Sequence, residues 1–511
     1  VELKVQPQLG DALPGSVAPT ARPRDVFWSK PVRAVLTLLA LASVAELSPH
    51  LARLRVFESR PSERTEPLPN VPPASNAIGE AELDRATENR PDLAQPEKLE
   101  APVRAAGPIA QGTAETAALP PSDVSPVPIV DEQHSLDRLF AVMSKAEAER
   151  HGASKGGGAA PSVARITFFG DSVVASDFGT GTLRRLLDTR FGDAGHGFVL
   201  VANAWPQYFH NDVYRLADKG FHVSRIVGPR ASDGLYGLGG VSFTAPPGLH
   251  ARVGTARTGD FGKQVSRFEV AYLTEPGGGS IDARVDGTTA RVIDTNDASK
   301  HAAFAELRVP DGPHDLDLLV RTAPVRLFGV VLERDVPGVV LDAIGVVGAR
   351  IRTLAENDSS HFAEALAWRR PNLLVFQFGA NESGDGFAYP MPEYHRTMKD
   401  IIEKMNGAVP EAGCLVIGAM DRARKENDHL VTVPIIPHIV DEQRKVAAEL
   451  GCAFYPTFEA MGGKGSMASW VRKGYGAGDF THPTSWGADK LGKWIYSALM
   501  TAYADYQKRN Q

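Results

Sequence analysis

Ala164-Arg165-Ile166-Thr167-Phe168-Phe169-Gly170-Asp171-Ser172 is the stretch on which the reading of this chain turns. Ile166, Phe168 and Phe169 form a short apolar run, and Gly-Asp-Ser closes it. Leu183, Leu186 and Leu187 follow at helical spacing. Strand, tight turn and helix in that order open a doubly wound sheet. Residues 373–379 (LLVFQFG) are continuously apolar, as a strand buried on both faces should be. Residues 414–420 (CLVIGAM) and 452–458 (CAFYPTF) follow, each preceded by a segment of helical period. The spacing of Trp486, Leu491, Trp494, Ile495 and Leu499 predicts a last helix over 485–506. Leu136, Leu139, Phe140 and Met143 predict an amphipathic helix over 135–151. The expected class is α/β with a mainly parallel sheet.

Residues 241–335 break this alternation. RFEVAYLT, SIDARVDG, ARVIDT, FAELRVP, HDLDLLVRT and VRLFGVVLE are short alternating segments between Gly, Pro and Asp turns. They predict an antiparallel β-sandwich. The α/β pattern resumes with VVLDAIGVVGARI, so the sandwich interrupts the domain and does not follow it. The expected α/β parts are 131–240 and 336–511.

The N-terminal part differs. Residues 34–45 (AVLTLLALASVA) carry no charge and follow Arg22, Arg24, Lys30 and Arg33. A basic flank before about 12 apolar residues is a signal-peptide core, short of the roughly 20 needed to span a bilayer. Residues 1–57 are therefore expected to be a leader that directs export to the periplasm or envelope. Ser43-Val44-Ala45 offers small residues for cleavage, and retention of 34–45 as a membrane tether stays open. Residues 58–130 are rich in Pro, Ala, Glu and Ser, which predicts a flexible linker.

The full chain has 511 residues, 43% hydrophobic and 23% charged, ordinary globular usage. Its net charge of −6 supplies no basic field for nucleic acid, so none is expected as a partner. Two cysteines exclude a disulfide scaffold and a Cys-based zinc site. Cys414 and Cys452 begin successive strands, and adjacent parallel strands rarely suit disulfide geometry, so two buried thiols are expected.

Four short blocks end predicted strands. Ser172 of Gly170-Asp171-Ser172 opens a helix at the crevice where such folds bind ligands, although Ser or Asp there also serves as a plain helix cap. Gly345-Val346-Val347-Gly348-Ala349 places the Gly348 N–H as a candidate oxyanion donor, or is a simple turn. Gly379-Ala380-Asn381-Glu382 offers the Asn381 amide for the same task, with Gly379 permitting close backbone approach. In Asp479-Phe480-Thr481-His482, Asp479 is placed to orient His482 and His482 to activate Ser172.

Taken together and in this order, the blocks resemble the SGNH (GDSL-type) hydrolase family. The resemblance covers 160–240 and 335–505. It implies a flavodoxin-like fold and acyl-ester chemistry with no metal or cofactor. It implies Ser172 as nucleophile, His482 as base and Asp479 as its orienting partner. The N–H groups of Ser172 and Gly348 and the Asn381 amide would form the oxyanion hole, supported by Asp171, Gly379 and Glu382. Glu382 stands where the family usually has Asp, and Val347 where a polar residue is frequent. The run from Ile166 to Val199, followed by an inserted sandwich, is similar to the peptidoglycan O-acetylesterase branch, with Phe191-Gly192-Asp193-Ala194-Gly195 and Gly197-Phe198 as part of the likeness. Val173 departs from that branch, where His is common. The implied activity is deacetylation of an envelope polysaccharide, with peptidoglycan as the leading substrate. Two alternatives share the residues: an O-acetyltransferase using the same triad, and a non-catalytic glycan-binding protein on this fold. His196, His210 and His438 show no metal-ligand spacing and are read as core or surface residues. Trp205, Tyr208 and Phe209 are read as core, and Asp421-Arg422 lies near the expected crevice.

Overall fold

The computed structural model describes residues 119–152 and 160–510. The leader (1–57), its apolar segment 34–45 and most of the expected linker lie outside them. Among the described residues no helix is long and apolar enough to cross a membrane.

A five-stranded parallel sheet forms the centre. Along the chain its strands are Val163–Gly170, Gly338–Gly345, Leu373–Gln377, Gly413–Ile417 and Ala453–Tyr455. Across the sheet the second strand lies outside the first, giving the order 2-1-3-4-5. The order reverses between strands one and three, and open sheets of this kind bind ligands beyond the carboxyl ends at that point. Alternation along strand one explains why it is buried on both sides. Phe168 joins the core under the first helix, Asp137–Arg150, and the last, Ser485–Arg509. Phe169 joins the opposite core with Ile344, Phe376 and Val416.

Between strands one and two the chain builds two antiparallel sheets. Strand Asp315–Thr322 shows the two-residue period, with Leu316, Leu318 and Val320 buried between more exposed neighbours. These residues pack with Phe243, Phe268 and Val270 of the second sheet in one core that continues to Phe169. The insertion starts earlier than residue 241. Val213–Ala217 and His222–Arg225 are edge strands of the two sheets, and Gly197–Val199 pairs with Val325–Glu333.

Burial of opposite charges fastens the insertion to the parallel sheet. Glu333, at the end of an inserted strand, is wholly buried. It accepts from Arg165 at 2.8 and 2.9 Å, from Arg369 at 2.5 Å and from Arg267. Arg369 also donates to Asp342 at 2.7 Å, so carboxylates from both parts share one cation. Removing the Glu333 charge leaves Arg165 without its ion-pair partner, Arg369 with Asp342 alone, and Arg267 with Glu269 and Asp335. Glu333→Gln is expected to lower stability by roughly 3–5 kcal/mol, read from the denaturant midpoint.

Two further expectations are corrected. Residues 119–130, taken as linker, lie on the domain. Val130 pairs with Phe454 beside the outermost strand, and Ser125 bonds Ser497 at 2.7 Å and Tyr455 at 2.9 Å. They cover a sheet edge that would otherwise stay unpaired. Cys414 and Cys452 form a disulfide, with Cα atoms 4.6 Å apart, in place of two thiols. Cys452 stands just before its strand, outside the ladder, so the pleat does not hold its side chain away from Cys414.

Candidate active site

Strand one ends at Gly170, and the helix Ser172–Ala175 starts at once. The Asp171 carboxylate caps that helix, accepting from Val173 N at 3.0 Å. The helix lies tightly on strand two. A Cβ at Gly345 would sit 2.0 Å from Ala175 N, so glycine is needed for the contact. Ser172 is thus held at a helix N-terminus above the switch point, only partly buried.

The fourth block comes from the other end of the chain. Gly476 and Pro483 pair across a turn, and Thr484 caps the last helix by accepting from Gly487 N at 3.2 Å. The turn presents His482 to Ser172, with His482 Nε2 2.8 Å from Ser172 Oγ. His482 Nδ1 lies 2.6 Å from Asp479 Oδ2. Asp479 Oδ1 accepts from Thr481 N at 2.9 Å and His482 N at 3.0 Å. An ionised carboxylate only accepts, so Nδ1 carries the proton and Nε2 is free to take one from serine. Burial raises the Asp479 carboxyl, but the His482 and backbone hydrogen bonds outweigh it and hold it well below the usual carboxylate range. The hydrogen bond that His482 donates to Asp479 in turn raises the His482 pKa.

The second and third blocks meet beside Ser172. The Asn381 amide nitrogen donates to Ala349 O at 3.0 Å and reaches Asp171 Oδ2 at 3.5 Å. Gly348, next to Ala349, has a positive φ of 79°. At Gly379, φ is 127° and a Cβ would lie 2.5 Å from Ala419 Cβ, so the backbone can pass only as glycine. Glu382 joins the two blocks: its carboxylate accepts from Gly379 N at 2.9 Å and Ile351 N at 2.7 Å. The residues it bridges belong to different strand ends, which is a task for a buried acceptor of this length. Burial pushes the Glu382 carboxyl up to about 7, and Asp171 up to about 6.

The histidines set aside make no described hydrogen bond to this group. His196 and His210 bond each other at 2.9 Å inside the insertion–domain contact, and His438 lies edge-on to Phe387. Trp205 and Tyr208 are buried, whereas Phe209, taken as core, is 53% exposed. Asp421 is buried and accepts from Met467 N at 2.8 Å, so it shapes a neighbouring helix start. Among the described residues no cluster of His, Cys, Asp and Glu is arranged to hold a metal ion.

No protein-family model and no curated protein matches the chain. A solved structure of a peptidoglycan O-acetylesterase aligns at 20% identity and a TM-score of 0.62, over 74% of this chain and 99% of that one. Coverage of that extent takes in the antiparallel sheets, so the fold shared is the parallel-sheet α/β domain with its extra antiparallel sheets. A family two carbohydrate esterase from Cellvibrio japonicus aligns at 12% identity over 58% of this chain and 99% of that one, with a TM-score of 0.22. The salicylyl-acyltransferase SsfX3 from a tetracycline biosynthetic pathway aligns at 13% identity over 57% and 98%, with a TM-score of 0.26. Scores that low add nothing to the fold assignment.

Proposed function

We propose that this protein is an exported serine esterase that removes O-acetyl groups from an envelope polysaccharide, with peptidoglycan as the leading substrate. The observation that carries the reading is the line from Ser172 Oγ through His482 to Asp479, at 2.8 and 2.6 Å, above the switch point of the sheet. Such a line activates a serine and has no evident use in a passive glycan-binding protein.

In this reading Ser172 Oγ attacks the acetyl carbonyl carbon while His482 Nε2 takes the hydroxyl proton. The carbonyl oxygen becomes an oxyanion, stabilised by the N–H groups of Ser172 and Gly348 and by the Asn381 amide. Asn381 keeps one proton on Ala349 O, and the weak 3.5 Å contact to Asp171 is the one it surrenders to the oxyanion. Collapse breaks the ester bond, and His482 returns its proton to the departing sugar oxygen. Water then attacks acetyl-Ser172, with His482 again as base, releasing acetate.

Three features support the substrate and compartment. The fold is shared with a peptidoglycan O-acetylesterase. Phe178, Phe209, Phe387 and Trp486 are 41%, 53%, 63% and 73% exposed. They lie on segments that follow or touch the catalytic blocks, where rings can meet the faces of sugars. Disulfides persist in oxidising compartments, and the Cys414–Cys452 bond agrees with export.

The test is free acetate released from O-acetylated peptidoglycan, with base-deacetylated polymer as the blank. Release only from p-nitrophenyl acetate would leave an esterase with another substrate, and release from neither would end the reading. Within an active enzyme, Asn381→Ala is expected to lower kcat by roughly 10²–10³ with KM little changed. A change confined to KM would place Asn381 in ground-state binding.

A further inference from the structure

Arg422 lies in the segment after strand four and belongs to none of the four blocks. Its guanidinium nevertheless reaches two of them. Nε donates to Thr481 Oγ1 at 2.9 Å, inside the turn that carries Asp479 and His482. Nη1 donates to Ser383 Oγ at 2.8 Å and Ala380 O at 3.4 Å, on either side of Asn381–Glu382. Both anchor points are themselves tied inward. Thr481 Oγ1 donates to Asp479 O at 3.2 Å, and Ser383 Oγ donates to Ala380 O at 2.6 Å. The main chain beside Arg422 joins the same turn, with Ala423 N donating to Phe480 O at 2.9 Å.

We infer that Arg422 is a positioning residue, whose rigid fork fixes the separation between the general base His482 and the oxyanion donor Asn381. The inference rests on the esterase reading of that site. The side chain suits the task because guanidinium donors diverge in one plane, so two loops are held at a set distance by one group. A lysine has no such span. The Asn381 block follows strand three and the His482 turn follows the helix Ser466–Arg472, and no hydrogen bond links the two directly among the described residues.

Arg422 also acts through its charge. Its hydrogen bonds go to neutral oxygens, and the carboxylate that acts on its charge is Asp479. The charged groups that face His482 are Asp479 and Asp171, which favour the protonated ring, and Arg422, which opposes them. Positioning and charge therefore separate by substitution.

The test uses the full protein and p-nitrophenyl acetate, a substrate too small to reach remote subsites. Arg422→Ala is expected to lower kcat roughly tenfold to a hundredfold, the scale of a small misplacement of catalytic groups, with KM within about twofold. The acid limb of its pH profile should move to higher pH, because the opposing charge is gone. Arg422→Lys should restore the limb but recover only part of kcat. Arg422→Gln should behave as Ala in the limb, and it carries the test with Lys where the Ala protein does not fold. The inference is overturned by kcat within about twofold of wild type in folded Ala or Gln protein, by an unmoved limb, by full recovery of kcat with Lys, or by a rise in KM alone. A wild-type protein without esterase activity would instead refute the reading on which the inference stands.

Discussion

Alanine at position 172 is expected to reduce esterase turnover by roughly 10⁵–10⁶-fold while the protein stays folded. The magnitude follows from what the hydroxyl does. Without Oγ no acetyl-enzyme forms, and His482 has no proton to take, so His482 and Asp479 lose their function with it. Residual rate comes from the oxyanion donors and from bound water. Stability should barely change, because Ser172 is partly exposed and its one side-chain hydrogen bond runs to a ring that water can reach. Thermal unfolding of the variant should match wild type within a few degrees, which separates loss of chemistry from loss of fold. A serine-directed sulfonyl fluoride should add one label to wild type, on the peptide containing Ser172, and none to the variant. Labelling elsewhere, or turnover within a hundredfold of wild type, would remove Ser172 from the mechanism.

The first three blocks were legible because parallel strands buried on both faces leave unbroken apolar runs in the sequence, whereas the fourth, expected at a strand end, lies in a turn between the helices Ser466–Arg472 and Ser485–Arg509. Such a run marks its own carboxyl end, and that end is where the crevice lies. Glycine then marks the tight passages, as at Gly345 and Gly379. The antiparallel insertion was legible only where strands alternate. Val213–Ala217 and His222–Arg225 are short edge strands, half-buried with no clean period, so their membership was hidden. Residues 119–130 share the composition of the linker, and only side-chain and backbone bonds to Ser497, Tyr455 and Phe454 distinguish them. The disulfide was missed because the objection to adjacent parallel strands fails where one cysteine precedes its strand. Arg422 was read only as lying near the crevice. Its partners lie 59 and 39 residues away, and such bonds leave no periodic trace.

Asparagine at position 479 is expected to cost about 10⁴ in kcat, with the geometry nearly unchanged. The carboxylate does two separable things. Oδ1 holds the turn by accepting two backbone N–H groups, and Oδ2 fixes the His482 tautomer. An asparagine carbonyl can keep the first pair of bonds, so the turn should survive. Its amide then faces Nδ1 as a donor, which demands the opposite tautomer. The proton moves to Nε2, and a ring with Nε2–H cannot accept from Ser172. The pH profile gives an independent sign. The neutral ring is the active base, and Asp479 favours the charged ring, so the wild-type kcat/KM should fall as pH drops through a value above the ordinary 6.5 of histidine. Removing the negative charge removes that preference, and the acid limb of the variant should lie at lower pH. A large loss in kcat with a downward limb fits an orienting carboxylate. A large loss with an unmoved limb would mean that Asp479 serves only to shape the turn, and a loss under tenfold would mean that another group orients His482.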